Sequence, residues 1–255
     1  MIFDSHTHID TGVGLGIGIE NKNPEELDEF KRLIEGKQLG VLANAVCTSE
    51  YEELSKIDGA FISFGIHPWN INDFCRGVED INSLKPFYEK VHAVGEIGMD
   101  SVWCDCDLAL QRKVFIEQVN MAETLRKPVV LHTKGQEKQI AEILKDYSVR
   151  KLVHWYSCEQ YLESFMEQDC YFTVGPNYKT SSAVKKVIRL VPLERLLVET
   201  DGISAVEWAV GRKINTEEIP SILRETMAAI ADEKKVGISA VEEVLEQNFH
   251  RFIGI

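Results

Sequence analysis

The 255-residue chain has no apolar run long enough to cross a bilayer, and its opening "MIFDSH" has neither a basic segment nor the apolar stretch of a secretion leader. A cytoplasmic protein is expected. Positive charge is scarce: 28 lysines and arginines stand against 41 aspartates and glutamates, a formal net charge of −13. That balance excludes a broad basic surface for gripping duplex nucleic acid. It leaves open a local groove for one phosphodiester strand, provided bound metal supplies the positive charge. The six cysteines (47, 75, 104, 106, 158 and 170) lack the spacing of a disulfide framework, so free thiols are expected. Cys104 and Cys106 stand close together but have no second pair to complete a structural zinc site. No Pro/Gly/Ser-rich linker or fixed-period repeat divides the chain, which predicts one domain over residues 1–255.

What is present is a core: 44% of the residues are apolar, in short runs that alternate with helical patterns. Strands are predicted at 1–8, 40–47, 60–67, 92–98, 128–133, 151–156, 170–175 and 195–200. Several are nearly continuous apolar runs, as suits strands covered on both faces of a parallel sheet. Helix starts are read at Asn23-Pro24, and as capping boxes at 49–52 and 239–242. Leu108, Phe115, Val119 and Ala122 repeat at helical spacing, as do Ile219, Leu223, Met227 and Ile230, predicting two buried stripes. Eight strands with intervening helices predict the α/β class, a closed (β/α)₈ TIM barrel with an additional C-terminal helix.

Polar residues interrupt the apolar strands at consistent places. His6 and His8 end the first strand, spaced so that both point to one side. His67 ends the third, Glu96 the fourth, His132 the fifth and His154 the sixth, and Asp201 follows the eighth. In a parallel barrel the C-terminal strand ends form one rim, where active sites are built. Gathering so many imidazoles and carboxylates is unfavourable without a compensating cation, so a metal site is predicted. His92 and His250 do not share this placement and are expected to be structural. The glycines of 12–18 lack a nucleotide-binding spacing and are expected to form a pliable loop over the site.

Imidazole and carboxylate donors without thiolates suit zinc, manganese, iron or nickel, and the oxygens could also hold magnesium. Six donors exceed the need of one tetrahedral ion and suit a pair. Glu96 is the natural bridge, with His6 and His8 on one ion and His132 and His154 on the other. Two such ions would activate a water for hydrolysis, with Asp201 as general base.

With these residues in hand, the chain resembles the TatD family of metal-dependent deoxyribonucleases, among the amidohydrolase-like barrels. "DSHTHID", with Asp10 as its closing acid, "GIHP", "GEIGMD", "PVVLHTKG", "PLERLLVETDG" and "QNFHRFIGI" carry the resemblance over nearly the full length. It implies two divalent ions (Zn, Mg or Mn) on His6, His8, Glu96, His132, His154 and Asp201, with His67 binding the substrate phosphate. It also implies cleavage of DNA, single-stranded or at 3′ ends. The chain departs from the family around the mouth: Gly202-Ile203 follows Asp201, Trp155-Tyr156 follows His154, Lys134 follows Thr133, and Ser101 follows Asp100. Lys134, Lys179, Arg212 and Lys213 are candidate rim cations, and Trp155, Tyr156 and Trp208 candidate stacking surfaces for bases. The rival reading is a small-molecule amidohydrolase or lactonase on the same barrel, a branch in which a carboxylated lysine often replaces the bridging acid. A scaffold without catalysis fits poorly, since it has no use for a positioned base at Asp201.

Overall fold

A computed structural model describes residues 1–13, 25–74 and 79–255. Its sheet has eight strands: β1 (Phe3–Thr7), β2 (Gly40–Ala45), β3 (Phe61–Phe64), β4 (Ala93–Asp100), β5 (Val129–Lys134), β6 (Lys151–Val153), β7 (Tyr171–Val174) and β8 (Leu196–Val198). They lie in chain order, and each pairs in parallel with the next. Helices intervene, giving the expected (β/α)₈ barrel with the C-terminal helix Ile238–Ile253. Among the described residues no helix is long and apolar enough to cross a membrane.

The barrel is filled by two different chemistries. At its N-terminal end each strand sends one apolar residue inward: Phe3, Leu42, Phe61, Ala93, Val130, Leu152, Tyr171 and Leu197. Phe249, Phe252 and Ile253 of the C-terminal helix close that end, with Phe3 and Phe249 stacked at 4.2 Å. The larger apolar cluster fills the space between sheet and helices. Toward the C-terminal ends the interior turns polar, as the rim prediction requires.

Closure between β8 and β1 uses polar groups. The Thr200 N–H donates to Asp4 Oδ1 at 2.9 Å, and the Thr200 hydroxyl donates to the other oxygen of the same carboxylate. The Thr7 and Thr200 hydroxyls lie 3.0 Å apart, and the Asp201 N–H donates to the His6 carbonyl at 3.1 Å. This seam joins the two strands whose ends carry His6, His8 and Asp201.

Several local expectations are corrected. Helix Thr48–Leu54 is capped at Cys47 and helix Ile238–Ile253 at Gly237, so Ser49 and Ser239 lie inside their helices and make no capping box. The Ile219, Leu223, Met227 and Ile230 stripe is buried throughout, but Leu108, first residue of its helix, is exposed. Asp107 caps that helix by accepting from the Leu110 N–H at 2.7 Å. The Asn23-Pro24 start and the glycines from 14 to 18 lie outside the described residues. The five described cysteines are free thiols. His92 accepts from the Ile62 N–H and His250 packs edge-on to Phe3, both structural roles.

Candidate metal centre

Glu96 is the hub, and it lies mid-strand because β4 continues to Asp100. The glycines of G-E-I-G let β4 lie close against β5: a Cβ on Gly98 would fall 1.9 Å from the His132 carbonyl oxygen. That approach sets Glu96 beside His132. Its two oxygens face different partners. Oε1 lies 2.7 Å from His132 Nδ1, 2.7 Å from His154 Nε2 and 3.4 Å from His67 Nε2. Oε2 lies 3.3 Å from His6 Nε2 and 3.2 Å from His8 Nε2. Asp201 Oδ1 sits on the His6 side, 3.2 Å from its Nε2 and 3.7 Å from that of His8.

All seven predicted site residues therefore meet in one place, and only Asp201 is appreciably open to solvent, its side chain 28% exposed. Asp201 has a φ of +61°, a left-handed conformation that aspartate tolerates, and the Asp201 N–H bond to β1 holds it there. His67 is not part of β3, which ends at Phe64, but caps the turn Pro68–Asn70, where its Nδ1 accepts from the Trp69 N–H at 3.2 Å. Its proton is thereby placed on Nε2, which points into the cluster.

Three features test whether the cluster fits metal ions. His6, His8 and Glu96 form one group whose donor atoms lie within 4.8 Å of one another, and His67, Glu96 and His132 form another. His154 joins the second side through its 2.7 Å approach to Glu96. His6 Nε2 is buried and makes no hydrogen bond despite the nearby carboxylates, an orphaned polar atom that a bound cation would satisfy. The donor set is nitrogen and oxygen, and no described thiol takes part: Cys104 and Cys106 face the Pro68 and Trp69 carbonyls. The residues present fit divalent ions.

The electrostatics follow from this crowding. Burial pushes the Glu96 carboxyl up, but His154, His67 and His6 outweigh it and hold the group well below the usual carboxylate range. Burial likewise opposes ionisation of Asp201, yet His6 and His154 keep it low. For His6, burial and His154 disfavour the cation, but Glu96 and Asp201 prevail and raise it to about 9. His132 and His154 are also raised against burial, by Asp100 with Glu96 and by Glu96 with Glu199. Burial wins at His67, which falls to about 4 and stays neutral.

Three residues that the sequence reading passed over support the ligands from behind. Asp100 Oδ2 lies 2.9 Å from His132 Nε2, so this ring turns Nδ1 toward Glu96. His154 is turned the other way, Nε2 toward Glu96 and Nδ1 toward the buried Glu199 at 3.6 Å. Asn44 stands 2.6 Å from His6 Nδ1 and is bonded in turn by Ser63. Such outer partners orient metal-binding histidines. The alternation applied to His6 and His8 would have found Glu199, two residues before Asp201.

A cavity of 1220 Å³ opens above the cluster. Lys134, Arg212, Lys213, Trp155 and Trp208 line it as expected, joined by Trp69 and Trp103. Two expectations fail. Lys179 lies outside the lining and pairs with Glu225 at 3.9 Å. Tyr156 is buried against Phe165 and Phe172, with its hydroxyl donated to the Gln160 carbonyl, so it offers no face to a base.

Residues 3–254 match the family described as TatD related DNase. An uncharacterized metal-dependent hydrolase of Bacillus subtilis, YabD, is 24% identical over the whole of both chains. The human 3′-5′ RNA nuclease TATDN2 is 29% identical over 80% of this chain, which corresponds to 28% of that protein's length. Among solved structures, the TatD homologue YJJV of Escherichia coli superposes with a TM-score of 0.79 at 22% identity, covering 100% of this chain and 98% of that one. A PTE-like lactonase from Deinococcus radiodurans shares the fold more distantly, with a TM-score of 0.62 at 10% identity, covering 99% and 95%.

Proposed function

The chain belongs to the TatD family of metal-dependent hydrolases, and from that premise we propose that it is a two-metal phosphodiesterase acting on nucleic acid. One observation carries the reading: Glu96 divides its two oxygens between His6 and His8 on one side and His132 and His154 on the other. A carboxylate so placed suits a bridge between two divalent ions, for which zinc, magnesium and manganese are the candidates. When bound, such ions acidify a water and offset the charge of a phosphodiester.

The chain's own residues take the remaining roles. His6, His8 and Glu96 hold one side, and His132, His154 and Glu96 the other. Asp201 is the general base: its carboxylate, kept ionised by His6 and His154, accepts the proton of the attacking water. His67 is the phosphate contact, since its neutral ring offers the Nε2 proton toward the cluster without competing for a cation. The human relative's name describes a 3′-5′ RNA nuclease, which supports a nucleic-acid substrate attacked from the 3′ end. DNA is the substrate proposed here, in single-stranded form, with residues 1–255 acting as one domain. The lactonase reading draws only on the fold, and a glutamate at position 96 weighs against it.

Elemental analysis after metal reconstitution, followed by assays on single-stranded DNA, RNA, a chromogenic phosphodiester and a lactone panel, tests the proposal. Two ions per chain and cleavage of nucleic acid are expected, with turnover reduced about 10²–10⁴-fold in Asp201→Asn. Hydrolysis confined to lactones would overturn it.

A further inference from the structure

All four tryptophans of the chain line one cavity above the metal centre, and they do so as two pairs. Trp69 and Trp103 stand 6.0 Å apart on the loops after β3 and β4, and Trp155 and Trp208 stand 6.3 Å apart after β6 and β8. In the ring of eight strands these are opposite arcs, with Glu96 and its histidines between them.

Each pair has one fixed and one open member. Trp69 is fixed by its indole N–H, which donates to Asp100 Oδ2 at 2.7 Å, and its ring packs 6.0 Å from His132. Trp155 is fixed in a left-handed conformation by its N–H, which lies 2.7 Å from Glu199 Oε1 and 2.9 Å from Thr173 Oγ1. Its ring lies against Gly175, where an added Cβ would fall 2.9 Å from Cδ2 and Cε2. The open members are Trp103, 61% exposed, and Trp208, 73% exposed. Two large apolar rings exposed at one cavity mark a binding surface, whereas scattered ones would need no explanation.

Cationic side chains accompany both walls. Lys134 lies 4.3 Å over the Trp103 ring, is held by the Ser157 hydroxyl at 2.9 Å and makes no ion pair among the described residues. On the far wall Arg212 and Lys213 line the cavity while paired to Glu218 and Glu207.

Two aromatic platforms flanking a phosphodiester-cleaving centre match one ligand: two planar bases joined through a phosphate. We propose that the mouth holds the bases on both sides of the scissile phosphodiester, one on the Trp69–Trp103 wall and one on the Trp155–Trp208 wall. This deepens the phosphodiesterase reading and rests on it. The smallest good substrate is then a dinucleotide step with both bases unpaired, because in a duplex the base faces are covered by their neighbours. Lys134 neutralises a phosphate beside the first base. Trp103 and Trp208 set the requirement for a base on their respective sides.

The test uses metal-reconstituted Asp201→Asn protein and a deoxydinucleotide monophosphate, with two versions that each lack one base. Indole fluorescence reports this cavity alone, because it holds every tryptophan. The full dinucleotide is expected to quench it, and removal of either base to weaken binding by about tenfold or more. In Trp103→Ala the penalty for one missing base should vanish, and in Trp208→Ala the penalty for the other. Both indoles are exposed, so these variants keep the fold. No quenching by the full dinucleotide, equal affinity for all three ligands, or loss of the same base's contribution in both variants overturns the assignment. If the ligands behave as expected while wild-type protein cleaves no nucleic acid, the phosphodiesterase reading falls and the two base sites stand. If cleavage proceeds and base removal changes nothing, the base sites fall alone.

Discussion

Replacing Asp100 by asparagine probes the metal centre without touching a proposed ligand. The carboxylate receives four N–H groups, two at each oxygen. Oδ1 takes the Val102 and Trp103 amides at 2.7 and 2.8 Å. Oδ2 takes the Trp69 indole at 2.7 Å and His132 Nε2 at 2.9 Å. Burial opposes its charge, but these donors outweigh it and hold Asp100 well below the ordinary carboxylate range, so the proton between it and His132 belongs to the ring. An amide has one oxygen and one NH₂ group, and in either orientation two N–H donors then face an NH₂. The least disruptive orientation keeps the oxygen on the backbone amides, and His132 escapes the clash by moving its proton to Nδ1, the nitrogen that faces Glu96. That exchange removes the lone pair a cation needs. A hydrogen bond to a charged partner contributes roughly 1.5–3 kcal/mol, and loss of an outer partner of a ligating histidine weakens metal binding about 10–100-fold. The two figures agree, since tenfold is about 1.4 kcal/mol. Competition against a chromogenic chelator measures the affinity, and ¹⁵N–¹H correlation across the imidazole of zinc-loaded protein locates the proton. Wild-type affinity with the His132 proton still on Nε2 would refute the reasoning.

The other expectations are more direct. Glu96→Gln should lower the metal content from two ions per chain to one or none, as read by elemental analysis, and two tightly held ions would remove Glu96 from the bridge. Because His6 keeps its proton until the pH passes about 9 in metal-free protein, metal uptake must release it. Apparent affinity for Mn²⁺ should rise about tenfold per pH unit between 7 and 9 from His6 alone, and more if His132 and His154 also give up protons, and calorimetry showing no proton release would contradict this. Stability of the metal-free protein should move oppositely: the raised His6 contribution is complete below about 6.5 and lost as pH rises through about 9, visible as a falling Tm. Phe249→Ala, at the apolar end of the barrel, should cost about 3–5 kcal/mol in urea unfolding while leaving the metal content unchanged.

Much of this was legible from local patterns. Buried parallel strands are apolar runs, and a ligand set must interrupt them, so both the barrel and the convergence of His6, His8, His67, Glu96, His132, His154 and Asp201 could be read from spacing. What escaped was set by contacts distant in sequence. Asp100 acquires its role only through the orientation of the His132 ring, and Asn44 only because β2 lies beside β1. Tyr156 followed a site histidine and looked like a rim aromatic, but the chain turns after Trp155 and drives the next ring into the core. The misplaced helix starts at Ser49 and Ser239 have a simpler cause: a serine and a glutamate at capping-box spacing can also sit within the first turn.

The polar seam between β8 and β1 has a consequence for biosynthesis. Asp4 and Thr200 are 196 residues apart, so the ribosome delivers one long before the other. His6 and His8 emerge with β1, yet Asp201, the proposed base beside them, arrives only after all eight strands have been made. A nascent chain would therefore carry several of the proposed metal-binding histidines before it had the proposed base. On the proposed reading, activity becomes available only when the last strand docks on the first and the barrel is closed.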